Sequence, residues 1–258
     1  MDIIIFGGQS NMQGQSGALT DTAVVEKAYE YKWLTDELVP LKNPVGENIT
    51  YDFKEGIAPD GTLTPPEWRA MNVTGSASRH CTNLVPSFCR VYTEMTGREV
   101  LAVHIAKGST RIKDWLPGTT GYEILVKKSN CAKEKVTADR ILFVWLQGES
   151  DAIYEVKKDE YKDSLVLLND SLKKDVGLQK FGIIRVGKYV NNEHDDEIIS
   201  AQDEICTENP DFLMLTDIAT KLNDIPEYMN PDAKGHFGPK GLEKLGFEAG
   251  KAFAEYFN

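Results

Sequence analysis

Two residues far apart in the chain have the chemistry of a nucleophile and its base. They are Ser10, in Phe6-Gly7-Gly8-Gln9-Ser10-Asn11-Met12, and His236, in Pro231-Asp232-Ala233-Lys234-Gly235-His236-Phe237-Gly238. Ser10 follows the apolar run Ile3 to Phe6, which puts it at the carboxyl end of a first strand, the edge where parallel sheets bind ligands. Gly7 and Gly8 permit a tight turn there. If a helix begins just after Ser10, its orphan N–H groups and positive dipole end point at the hydroxyl and at any oxyanion formed beside it. Such a serine is placed to attack a carbonyl. The same position also suits a plain helix N-cap, so the serine carries meaning only with a base. His236 supplies one, because its loop follows the last strand and precedes the last helix and so reaches the same edge. The other histidines fit less well: His80 ends an irregular stretch, His104 lies inside a strand as a core residue, and His194 sits in an acidic, solvated run.

Two more segments reach that edge. Ala106-Lys107-Gly108-Ser109-Thr110 leaves the second apolar run, and a glycine there lets backbone approach a ligand closely and present an N–H group. An ordinary strand-exit turn would read the same. Trp145-Leu146-Gln147-Gly148-Glu149-Ser150-Asp151 leaves the third run with an amide and two carboxylates, polar groups that need partners if buried, a substrate among them.

The elements that must position these residues are legible from periodicity. Five short runs, Ile3 to Phe6, Val100 to Ile105, Ile141 to Leu146, Phe181 to Val186 and Phe212 to Leu215, have strand length and β-branched or aromatic content. They are almost continuously apolar, which suits parallel strands covered on both faces. Helices are expected near Leu84 to Thr96, Gly121 to Ala138, Asp159 to Lys174, Asp195 to Glu208 and Pro239 to Phe257. The last carries one apolar stripe, Leu242, Leu245, Ala249, Phe253 and Tyr256. The expected fold is a three-layer α/β/α sandwich around a five-stranded, mainly parallel sheet, in one domain spanning residues 1–258. Residues 29–80, rich in Pro, Gly, Asn and Thr and carrying Tyr31, Trp33, Tyr51, Phe53 and Trp68, read as an irregular insertion beside the active edge. Its aromatics either offer a surface to sugar rings or pin the loop to the core.

In order and content, Gly8-Gln9-Ser10-Asn11-Met12, Lys107-Gly108-Ser109-Thr110, Gln147-Gly148-Glu149-Ser150-Asp151 and the late His236 resemble the SGNH hydrolases. The resemblance is to the branch that contains sialate O-acetylesterases and carbohydrate esterase family 6 acetylxylan esterases, and it runs from the first strand to the last helix. It implies the flavodoxin-like SGNH fold. It also implies Ser10 as nucleophile, His236 as general base and acid, the Ser10 and Gly108 backbone N–H groups as oxyanion donors, and Gln147 in the place of the SGNH asparagine. Gln9, Asn11, Lys107, Ser109 and Arg111 become substrate-binding candidates; Lys107 and Arg111 offer a cation for a sugar carboxylate, or are merely solvated loop charges. The sequence departs from the pattern at one place: relatives commonly carry an aspartate three residues before the histidine, where Ala233 stands. Asp232 lies one residue farther back, Glu149 is the rival carboxylate, and a backbone carbonyl holding the imidazole is the third possibility.

Composition narrows the partners. A formal charge of -11, with no Lys/Arg stripe interleaved with aromatics, argues against nucleic acid. Cys81, Cys89, Cys131 and Cys206 form neither a CxxC pair nor a zinc pattern, and read as buried thiols of a reducing compartment. Met1-Asp-Ile-Ile-Ile-Phe resembles neither a signal peptide nor a membrane span, which points to the cytoplasm and away from a membrane partner. The expected function is a carbohydrate O-acetylesterase acting on acetyl-xylan or a related saccharide, without metal or organic cofactor. A sialate O-acetylesterase, another SGNH acyl esterase or thioesterase, and an inactive carbohydrate-binding protein are the alternatives. A phosphate-binding α/β domain lacks the GxGxxG or Walker sequence it would need.

Overall fold

The computed structural model describes residues 1–47 and 81–257. In chain order its elements are β1 (Asp2–Gly8), α1 (Ser10–Gln13), β2 (Ala28–Lys32), β3 (Glu37–Pro40), α2 (Val85–Thr96), β4 (Val100–Ala106), α3 (Thr120–Lys133), β5 (Arg140–Leu146), α4 (Glu149–Ile153), α5 (Lys158–Asp175), β6 (Lys180–Ile184), α6 (Glu193–Glu208), β7 (Phe212–Thr216), α7 (Ala219–Leu222) and α8 (Pro239–Phe257). The strands form one sheet in the order β3-β2-β4-β1-β5-β6-β7. Every pairing is parallel except β2 with β3. Strand β1 is central, and its apolar run is buried from Ile3 through Phe6 because helices cover both faces. Gly8 is in register with Ala106 on β4 and Leu146 on β5, so the three segments that follow these strands leave the sheet side by side. That register brings the candidate motifs to one edge.

The α/β fold with a mostly parallel sheet is as expected, and the strand count is corrected from five to seven. The two additional strands fall in the stretch read as irregular insertion. Strand β2 buries Glu30 and Lys32, so a charged pair occupies positions where a strand pattern calls for apolar residues. The pair is tolerated because Lys32 Nζ lies 2.8 Å from Glu30 Oε2 and donates to the Gly46 carbonyl, while the Gly46 N–H donates to Glu30. Burial pushes the Glu30 carboxyl upward, opposed chiefly by Lys32. Strand β3 is a short edge strand ending in Pro40 and mostly exposed, a form that resists edge-to-edge pairing. Tyr51, Phe53, Trp68 and His80, with the rest of 48–80, lie outside the described residues.

Helix α8 closes the fold behind the His236 loop. Its Gly246 and Gly250 let α2 approach so closely that an added Cβ would lie 2.3 Å from the Leu84 carbonyl oxygen and 2.4 Å from that of Phe88. Among the described residues, no helix is long and apolar enough to cross a membrane.

His104, on β4, is the buried core histidine expected from its place in a strand. Its Nε2–H donates to the Met12 carbonyl at 2.9 Å, and burial holds its pKa down at about 4 from the usual 6.5. In the unfolded chain this imidazole takes up a proton near pH 6.5, whereas the folded chain refuses it until about pH 4. Its contribution to stability is therefore whole above pH 6.5 and lost as the pH falls toward 4, by about 3 kcal/mol in all. His104→Gln, which keeps an amide donor for Met12, is expected to flatten the melting temperature against pH over that interval relative to the wild type. Parallel curves for the two proteins would contradict this.

Candidate active site

Ser10 opens α1 directly after Gly8 and Gln9, and it is 7% exposed. Gly8 has φ +150°, and a Cβ there would lie 2.1 Å from the Leu146 carbonyl oxygen, so the turn out of β1 demands glycine. The Ser10 N–H is among the first of the helix and has no partner within it. A Cβ added to Gly108 would lie 3.6 Å from the Ser10 Cβ, so the loop after β4 runs against the serine with its backbone bare. The Gly108 N–H donates to the Gln13 side-chain oxygen at 3.2 Å, and Gln15 Nε2 donates to the same oxygen at 2.9 Å. An oxygen atom thus already sits on the Gly108 donor beside Ser10. Gln13 was not singled out in the sequence, although its position one helical turn after Gln9 is the signal that could have found it.

His236 lies in a loop folded on itself. The Asn230 N–H donates to the His236 carbonyl at 2.8 Å, the His236 N–H donates to Ala233 at 3.1 Å, and Phe237 bridges Met229. Asn230 Nδ2 in turn donates to the Gln15 carbonyl at 3.0 Å, tying the loop to the chain just beyond α1. Gly235 has φ +74° and presses on Tyr189, whose ring meets that of His236 edge-on with centroids 6.2 Å apart. The imidazole Nδ1 lies 3.0 Å from the Lys234 carbonyl oxygen. An imidazole that donates there from Nδ1 keeps Nε2 as its basic nitrogen.

The most informative side chain is Asn11. Its Nδ2 donates to Glu149 Oε1 at 2.8 Å and to the Gly235 carbonyl at 3.3 Å, and its Oδ1 accepts from the Phe237 N–H at 3.1 Å. One amide adjacent to Ser10 therefore grips the chain on both sides of His236 and holds a carboxylate from the third motif. Glu149 is 4% exposed, and its Oε2 is buried without a hydrogen-bond partner. Burial pushes its carboxyl upward, while the Asn11 donor and the charge of His236 act in the other direction; Asp195 adds to the rise.

The geometry gives several of the residues expected at this edge partners within the protein. Asp232 is exposed, and its N–H caps Asn230 Oδ1 at 3.0 Å; the group that bonds the imidazole is the Lys234 carbonyl. Gln147 is fully buried, with Nε2 donating to Gln9 Oε1, the Thr110 carbonyl and Asp151 Oδ2, and Oε1 accepting from Tyr161 at 3.0 Å. Its two amide protons are spent inside the protein, which leaves none for an oxyanion. Gln9, proposed for substrate, is likewise buried, and its Oε1 accepts from Gln147 and from the Ser150 N–H at 3.2 Å. Gln9 and Gln147 form a polar seam joining β1 to β5. Asp151 completes the seam by accepting from the Ile112 N–H at 3.0 Å, and burial pushes it up to about 6. Ser109 is exposed with φ +63°, Lys107 is half-buried and pushed down to about 8 by burial, and Arg111 stacks over the exposed ring of Tyr154, 4.3 Å from its centroid.

A mostly parallel α/β sheet whose β1, β4 and β5 exits carry Ser10, Gly108 and Glu149 to one edge is the scaffold here, and the chain is an esterase. It belongs to the family described as carbohydrate esterase, sialic acid-specific acetylesterase, whose model matches residues 1–255. A probable carbohydrate esterase of Arabidopsis thaliana is 25% identical over 203 residues, which cover 78% of this chain and 74% of that one. The X-ray structure of that Arabidopsis protein superposes with a TM-score of 0.69 at 17% identity, over 100% of this chain and 99% of the other. The crystal structure of NanS superposes with a TM-score of 0.63 at 13% identity, over 99% of this chain and 95% of that one. The acetylxylan esterase Axe2 from Geobacillus stearothermophilus gives 0.51 at 11% identity, over 96% and 91%.

Proposed function

We propose that the chain removes acetyl groups from a saccharide through an acetyl-enzyme on Ser10, with His236 as base. The observation that carries this reading is the grip of Asn11, the neighbour of Ser10, on Gly235 and Phe237, which flank His236. It supports the reading by tying the residue after Ser10 to the two residues that flank His236, and Ser10 and His236 have the types of nucleophile and base.

Each step follows from the groups present. His236 Nε2 takes the Ser10 proton as Oγ attacks the acetyl carbon, and the imidazolium formed is held by the Lys234 carbonyl at Nδ1 and stabilised by the charge of the buried Glu149. The carbonyl oxygen, now an oxyanion, accepts from the Ser10 and Gly108 N–H groups, displacing Gln13 Oε1 from the latter. The tetrahedral intermediate expels the sugar oxygen, which takes the proton from His236. Water then attacks the acetyl carbon with His236 again as base, and acetate leaves with the Ser10 hydroxyl restored. A preorganised oxyanion donor is worth ~10²–10³-fold and general acid–base help ~10²–10⁴-fold, so no further group is needed for a useful rate.

The sugar is read as a neutral acetylated saccharide of the xylan type. An O-acetylated sialic acid is the second reading, favoured by Arg111, whose guanidinium is displayed on Tyr154 at the rim and would meet a sugar carboxylate. Acetate release from acetylated xylo-oligosaccharide and from O-acetylated sialic acid, each compared with Ser10→Ala, tests the proposal. Ser10-dependent release from the first supports the neutral saccharide, and release from the second alone replaces it with the acidic sugar. Release from neither, nor from 4-nitrophenyl acetate, would overturn the acetylesterase reading.

A further inference from the structure

We infer that Asn11 is a positioning residue that sets the register between the nucleophile and its base, in place of the substrate contact expected for it. The inference rests on the Ser10 and His236 reading above. Asn11 is 3% exposed, and both of its side-chain N–H groups are committed, one to Glu149 Oε1 at 2.8 Å and one to the Gly235 carbonyl at 3.3 Å. Its oxygen is bonded to the Phe237 N–H at 3.1 Å. A primary amide is the side chain that suits this place, since it donates twice and accepts once in a plane. Aspartate would turn an oxygen toward Glu149 and the Gly235 carbonyl, and alanine would leave all three groups unpaired in a buried site.

Three elements meet at this amide: α1 with Ser10, α4 with Glu149, and the loop of His236. Because Asn11 follows Ser10 in the same helical turn, its three bonds fix the imidazole relative to the hydroxyl without touching substrate. Glu149 depends on the same amide, which is the one side chain among the described residues that hydrogen-bonds it, its second oxygen being unpartnered. The groups beside the imidazole are then Lys234 and Gly235 on its own loop and Tyr189 after β6, with the charge of Glu149 on α4 coupled to it; Asp195 on α6 acts on Glu149 and accepts from the Tyr189 N–H at 3.1 Å. Of these, Glu149 and the loop are joined to the nucleophile helix through Asn11.

The test is steady-state kinetics on 4-nitrophenyl acetate with Asn11→Ala, Asn11→Asp, Glu149→Gln and the Asn11→Ala/Glu149→Gln pair. Loss of orientation costs on the order of 10²-fold, so Asn11→Ala is expected to lower kcat by ~30–100-fold with KM within about threefold. Glu149→Gln alone is expected to lower kcat by ~10-fold, and the pair to be no slower than Asn11→Ala within about threefold, because both act through one amide. Asn11→Asp, an isostere that keeps the acceptor for Phe237, carries the test if the alanine variant does not fold, and it is expected to lose as much kcat. A folded Asn11 variant with wild-type kcat, a loss confined to KM, or a strictly multiplicative pair would each overturn the inference. A wild type that neither hydrolyses the ester nor reacts at Ser10 with a phosphonate overturns the parent reading instead; an active, Ser10-labelled wild type with unaltered Asn11 variants overturns this one alone.

Discussion

Ser10→Ala is expected to lower kcat/KM on acetyl esters by ~10⁴–10⁶-fold while leaving the protein folded and able to bind saccharide. The size follows from what the hydroxyl does. Without it there is no covalent acetyl intermediate, and the residual rate is that of water attacking an ester held near the Ser10 and Gly108 N–H groups. The fold should survive because α1 is fixed by its backbone, through the Gln13 N–H to Gln9 at 2.7 Å and the Gly14 N–H to Ser10 at 3.0 Å, which alanine retains. Far-ultraviolet circular dichroism and a melting curve alongside the kinetics check this. A variant that keeps more than a hundredth of wild-type kcat/KM would place the chemistry elsewhere.

His236→Ala is expected to cost ~10³–10⁴-fold in kcat, with less change in KM, since the imidazole serves as base in one half-reaction and as acid in the other. The carboxylates around it should behave unequally. Asp232 is exposed and bonded to the Asn230 turn only through its N–H, so Asp232→Asn is expected to stay within about threefold of wild type. Glu149, buried and coupled electrostatically to His236, is expected to matter through kcat. The order of effects, His236 far above Glu149 and Glu149 above Asp232, is the discriminating result; a large loss in Asp232→Asn would restore an Asp-His pairing and remove the Lys234 carbonyl from the account.

The five parallel strands from β4 to β7 in the sheet order were legible because their runs are nearly continuous in apolar residues, buried throughout in the interior strands and partly in the edge strand β7. Strands β2 and β3 were not, since Glu30 and Lys32 fill buried positions with a charged pair whose compensation comes from Gly46, sixteen and fourteen residues away. At the active edge, residue types and strand exits were enough to single out Ser10, Gly108 and His236. The duties of the polar residues between them were not legible, because a glutamine that donates to substrate and one that donates to Gln9, Thr110 and Asp151 are written with the same letter. Asn11 makes the same point more sharply. Its partners stand 138, 224 and 226 positions away, so nothing near it in the chain hints at them. The group that bonds the imidazole is a backbone carbonyl, which leaves no residue type to read at all.

The most direct test of the central claim is reaction with a phosphonate ester followed by peptide mapping, which records the attacking atom itself. One adduct per chain on Ser10, formed with loss of esterase activity, absent in Ser10→Ala and slowed in His236→Ala, is the expected result. Full esterase activity with Ser10 unmodified, or an adduct on another residue that tracks the loss of activity, would contradict it.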